Sequence, residues 1–161
     1  MITRPFCAAV LGTLVAFSCA SGPRSREAAA WLRDAVRAHR AADEALARRD
    51  REAAYATLVG LVGTAERFAT ERGDKRAVLM DAYFRLAEMA LAAKNAPAAL
   101  LWSSRGLKLG AANDVFSANL LIAKGHAAVA LGDDALASES FHRALVINDA
   151  LLAVALAEPA Q

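Results

Sequence analysis

Cysteine is scarce: the 161 residues contain two, Cys7 and Cys19, both at the N-terminal end. A small disulfide-stapled fold needs cysteine pairs spread along the chain, so that class is excluded. Aromatic residues make up only 6%, and β-branched residues are few beside the abundant alanine. Strands draw mainly on aromatic and β-branched types, whereas alanine, leucine, arginine and glutamate favour helices, so almost no strand is expected. A large excess of one charge sign is also missing. The net charge is +2 with both signs interspersed, without the sustained basic stripe that nucleic-acid binders carry, so nucleic acid is not an expected partner. There is no phosphate loop, no Gly-x-Gly-x-x-Gly, no Cys-x-x-Cys and no glycine-rich elbow around a serine. No enzyme activity, cofactor or small-molecule substrate is therefore expected.

What is present begins with a leader. Arg4 supplies a positive start, and Phe6 to Phe17 is an uncharged apolar run of 12 residues. That length suits the hydrophobic region of an export signal and is too short to cross a bilayer. The following Val15-Ala16-Phe17-Ser18-Cys19 resembles the lipobox of bacterial lipoproteins. The resemblance implies a signal peptide over residues 1–18 and Cys19 as the acylated first residue of the mature chain. Ala20, rather than aspartate, after the cysteine implies the periplasmic side of the outer membrane. The alternative is ordinary cleavage after Ala20, giving a soluble periplasmic or secreted protein. Residues 19–25, with Gly22 and Pro23, read as a tether, after which Ser25 is a helix cap and residues 26–158 form one helical domain.

The clearest organised stretch is residues 118–149. Gly132 is placed to end one helix in a left-handed conformation, and Asp133 and Asp134 to cap the next. Small residues Gly125, Ala137 and Ala144 allow two helix axes to approach to roughly 8–10 Å, with Phe141 on the face shared by the two alanines. Gly125, Gly132, Ala137, Phe141, Ala144 and Leu145 fall where the tetratricopeptide repeat (TPR), a helix-turn-helix of about 34 residues, has its small, turn, aromatic and leucine positions. The stretch departs from that pattern at Lys124, where leucine is usual, and at Asp149, where proline often stands.

The same pattern is found upstream. In residues 75–109, Leu86 and Ala87 match the first helix of the repeat, Ala99 and Gly106 the second, and Leu107 matches Leu145, with the extra residues of the longer spacing placed at 110–113. Asn95 starts the second helix and Pro97 lies in its first turn, where a missing N–H costs nothing. Farther upstream, helices are expected over about 26–48 and 51–71, the first with the apolar set Trp31, Leu32, Val36 and Ala42 to Leu46 at helical spacing and the second with Leu58, Leu61, Val62 and Phe68 turned inward. Ala54 and Leu58 after a turn at Arg49 and Asp50 suggest a diverged repeat. The apolar run 150–157 reads as a cap over the open end of the last repeat, because each repeat buries its face only against a neighbour. The expected fold is all-α: a short TPR-like solenoid of about six helices plus a C-terminal capping helix.

Candidate chemistry is thin. Glu139 and His142 have the Glu-x-x-His spacing of di-iron bundles, but those sites need a second such motif and two more glutamates on facing helices, so no metal is expected. Arg33, Arg37 and Arg40 are interleaved with acids and read as a solvated face, and Trp102 reads as packing on the preceding helix pair. Resemblance to the TPR family implies a groove lined by the first helix of each repeat: Asp81, Phe84, Glu88 and Leu91, then Asn119, Ile122, His126 and Val129. These positions mix apolar and polar types, which suits an amphipathic partner segment. They also place Glu88 beside His126. The expected function is thus a membrane-tethered, non-catalytic protein-protein interaction module, an adaptor or assembly factor of the bacterial cell envelope, that docks a peptide or helix. The alternative is a structural lipoprotein subunit acting through its convex face.

Overall fold

The computed structural model describes residues 23–65, 74–110 and 112–157. The leader and Cys19, together with Phe68 and the end of the second expected helix, lie outside them. Six helices follow in order: α1 (Pro23–Ala47), α2 (Arg51–Ala65), α3 (Asp74–Ala92), α4 (Ala96–Lys108), α5 (Val115–Leu131) and α6 (Asp134–Ala157). No strand occurs among the described residues. α1 starts three residues earlier than expected: Pro23 opens the helix rather than ending the tether, because its fixed φ suits the first helical position.

The helices form three hairpins, α1–α2, α3–α4 and α5–α6, closed by one recurring turn. Arg49, Lys94 and Gly132 take left-handed backbone angles, with φ of 63, 57 and 76°. The next residue of each turn, Asp50, Asn95 or Asp133, donates its amide back to the carbonyl of Ala45, Ala90 or Ala128 at 2.9, 2.8 and 2.9 Å. The side chain of that same residue caps the following helix, accepting from the amide of Ala53, Ala98 or Leu136 at 3.0, 3.2 and 3.0 Å. Each turn therefore satisfies carbonyls at one helix end and amides at the next start, which an unpartnered helix terminus lacks. Around it the small residues also recur: Ala42, Ala87 and Gly125 before the turn, and Ala54, Ala99 and Ala137 after it, are all buried. The first hairpin is thus built like the other two.

Each helix packs on its neighbours in sequence, while α3 packs on α5 and, more lightly, α1 on α3. The main core runs through α1 to α4 and takes in Leu120, Ala123 and Ala127 of α5. A smaller core joins Ala118 and Leu121 of α5 to Ala144 and Ile147 of α6. α5 is covered on two sides, which explains why it is apolar nearly all round. Close approach is built from glycine: a Cβ on Gly125 would lie 2.6 Å from the Phe141 ring, and one on Gly106 2.8 Å from Leu120 and 2.9 Å from Tyr83. Trp102 packs on the preceding pair, donating from Nε1 to the Tyr55 hydroxyl at 3.0 Å beside Tyr83.

The α4–α5 connection falls at the residues where the extra length was placed, and it is clamped. Arg76 on α3 donates from Nε to the Gly110 carbonyl at 2.8 Å and from Nη2 to Asp114 at 2.7 Å. Asp114 also caps α5 by accepting from the Ser117 amide at 2.7 Å. Burial works to raise the Asp114 pKa, but the Ser117 and Arg76 bonds outweigh it and hold the carboxyl below its ordinary value.

The expected separate cap is not formed. Residues 150–157 continue α6 without a break, leaving Leu152, Val154 and Leu156 exposed. Nothing between Asp149 and Ala157 breaks a helix, and alanine and leucine are strong helix formers, so the run extends the helix instead of folding back. Among the described residues α6 is the one helix long and apolar enough to cross a membrane by length and composition.

Candidate docking cleft

Three odd-numbered helices share one face, and a cleft of about 430 Å³ lies there. α1 contributes Val36, His39 and Asp43, which are three and then four residues apart and so fall on one helix face. α3 contributes Ala77, Val78, Asp81 and Arg85, and the start of α5 contributes Phe116. Val36, Ala77, Val78 and Phe116 give an apolar lining, and the other four form a polar chain across α1 and α3.

Arg85 is the centre of that chain. Its guanidinium pairs through Nη2 with Asp43 and places Nη1 3.1 Å from His39 Nδ1. The planar fork of arginine suits two partners held side by side. His39 Nδ1 also lies 3.3 Å from Asp81 Oδ2. One ring nitrogen cannot serve both neighbours: it accepts from Arg85 when bare and donates to Asp81 when it carries the proton. His39 Nε2 is buried without a hydrogen-bond partner, a state that costs about 1–3 kcal/mol in a protein interior. The side chains differ in reach: Arg85 and His39 are only 18% and 17% exposed, against 66% for Asp43 and 42% for Asp81. The guanidinium and the imidazole are below and the carboxylates at the mouth.

Of the eight groove positions implied by the TPR resemblance, the structure brings one, Asp81, into this cleft. Phe84 and Leu91 pack against the main core and Ile122 against the smaller one. Asn119 is half-buried, and Glu88, His126 and Val129 are exposed. Glu88 forms no ion pair with His126 among the described residues; the His126 ring instead lies edge-on to Phe141 of α6, 5.2 Å between centroids. The cleft residues that the resemblance passed over are Val36, His39 and Asp43 on α1, Ala77, Val78 and Arg85 on α3, and Phe116 on α5. Their helical spacing is legible, but the pairing of α1 with α3 is not.

Two other clefts flank α1. One of about 490 Å³ lies between α1 and α2, lined by Glu27, Trp31, Asp34, Gly60 and Leu61 among others, and the Trp31 indole N–H is buried there without a partner. The other is lined by Ala29, Leu32, Arg33, Val36 and Arg37. The charged residues that line them all lie on α1. Comparison with known proteins finds no family model that matches this chain, no curated protein that matches it and no solved structure that matches it.

Proposed function

We propose that the protein is a TPR-like, non-catalytic interaction module of the bacterial cell envelope, tethered to the outer membrane through Cys19 and docking a peptide or helix of a protein partner in the α1–α3–α5 cleft. The observation that carries this reading is the cleft itself: an apolar lining edged by fixed charged groups on the face shared by three helices. Such a surface gives affinity through buried apolar side chains and register through the polar edge. The three hairpins with one turn design support the TPR-like arrangement, and the lipobox-like Val15 to Cys19 supports the tether.

A second reading, a structural subunit acting through its outer face, is favoured by α6, where Leu145, Val146, Leu152, Val154 and Leu156 are exposed. One experiment separates the two. Partners cross-linked to the full chain in the envelope are compared between Val36→Ser, which alters an exposed cleft residue, and Leu152→Ser with Leu156→Ser, which alters α6. Loss of the partner only in the first supports the cleft, and loss only in the second transfers the function to α6. For the tether, Cys19→Ser is expected to move the protein to the soluble envelope fraction or stall its processing; wild-type protein recovered without acyl chains would overturn it.

A further inference from the structure

The charge arrangement of the cleft narrows the partner. We infer that the cleft selects a segment presenting a lysine or arginine side chain beside an apolar one, with the cation between Asp43 and Asp81 and the apolar group on Phe116 and Val78. The inference rests on the docking reading above and deepens it.

The argument is one of charge and access. Two carboxylates and one guanidinium meet at the cleft, so with neutral His39 the cluster carries one net negative charge. The guanidinium is engaged by Asp43 and His39 and is mostly covered, so it is poorly placed to receive an anion from outside. Both carboxylates, by contrast, are partly open to solvent. An incoming ammonium or guanidinium would meet the open carboxylates that end the chain Asp43, Arg85, His39, Asp81. An incoming carboxylate would meet Asp43 and Asp81 first and be repelled. The apolar lining next to the charges requires a partner that is amphipathic rather than only cationic. Of the other arginines of α1, Arg33 and Arg37 line the separate cleft on the other side of Val36, and Arg40, exposed and one turn from both Val36 and Asp43, is not among the residues that line this one.

The test uses the full mature chain and three synthetic peptides matched in length and leucine content, with lysine, glutamine or glutamate at the remaining positions. Fluorescence anisotropy at low salt should rank the lysine peptide tightest and the glutamate peptide weakest. Each neutralised carboxylate, in Asp43→Asn and Asp81→Asn, should weaken the lysine peptide about two- to fivefold, the range of partly exposed charge pairs. The double variant should bind lysine and glutamine peptides alike, while Asp43→Glu with Asp81→Glu keeps the preference. Far-UV circular dichroism checks that each variant is folded.

If all three peptides bind equally and Val36→Ser weakens them equally, docking stands and the cation preference is overturned. A lysine preference that survives the Asp43→Asn, Asp81→Asn double variant places the selectivity elsewhere and also overturns it. If none of the three binds, peptide docking in this cleft fails, and the preference with it.

Discussion

Two pairs of helical glycines divide the molecule. Gly106 and Gly125 lie in the second and third hairpins, where an added Cβ would meet a neighbour at under 3 Å. Gly60 and Gly63 lie in α2 of the first hairpin, where an added Cβ would find nothing within 4 Å. The same residue therefore serves contact in one region and leaves space in the other. Among the described residues the first hairpin also carries the two buried side-chain polar atoms without partners, Trp31 Nε1 and His39 Nε2, and it borders all three clefts described above. The tight glycine contacts lie within the second and third hairpins and at the junction between them, and room is left around α1.

The largest expected effect tests the packed half. Gly125→Leu drives a side chain into the Phe141 ring and should cost about 3 kcal/mol or more, read as a fall in melting temperature by circular dichroism. An unchanged melt would mean that α5 and α6 are not in the contact described. Next is the junction that joins the last hairpin to the rest. Asp114→Ala removes both the α5 cap and the Arg76 partner and should cost about 1–2 kcal/mol, measured by urea unfolding; a neutral result would show that the clamp adds no stability.

The loose half should respond with the opposite sign. Gly60→Ala places a methyl in open space and improves helix propensity, so a gain of about 0.5–1 kcal/mol is expected. A loss would show that this space is occupied in solution and that the contrast between the two halves is false.

The smallest effect is a pH dependence at Asp114. Its carboxyl is held below its ordinary value of 3.8, so the folded state binds its proton less readily than the unfolded chain. That stabilisation is complete above about pH 4 and is lost as pH falls through the lowered folded value. The wild type should lose more stability than Asp114→Asn between neutral pH and that acid range. Equal losses would remove Asp114 from the acid response.

Much of the helical plan was legible in the residues. Gly132, Asn95 and Asp133 announce their turns by conformational freedom and capping chemistry, and both caps form as expected. The first two turns have no glycine, Arg49 and Lys94 taking the left-handed angle; the capping Asp50 and the buried Ala54 were the signals of the first. The run 150–157 was misread because an apolar sequence states that it avoids water without stating what covers it. The site was the least legible part. The residues assigned to the groove by resemblance depend on a helix register, and α3 turns Phe84 and Leu91 toward the core while presenting Asp81 and Arg85 to α1.

By itself, then, the sequence determined the all-helical state, the turns and the small residues that let the helices approach, because propensity, capping and side-chain size act within a few residues. Only the tertiary structure decided which helices became neighbours across the stack. His39 meets Arg85 46 residues away and Asp43 meets it 42 residues away, contacts that depend on the angle between α1 and α3. That angle is set by packing summed over whole helix faces, which no local pattern encodes.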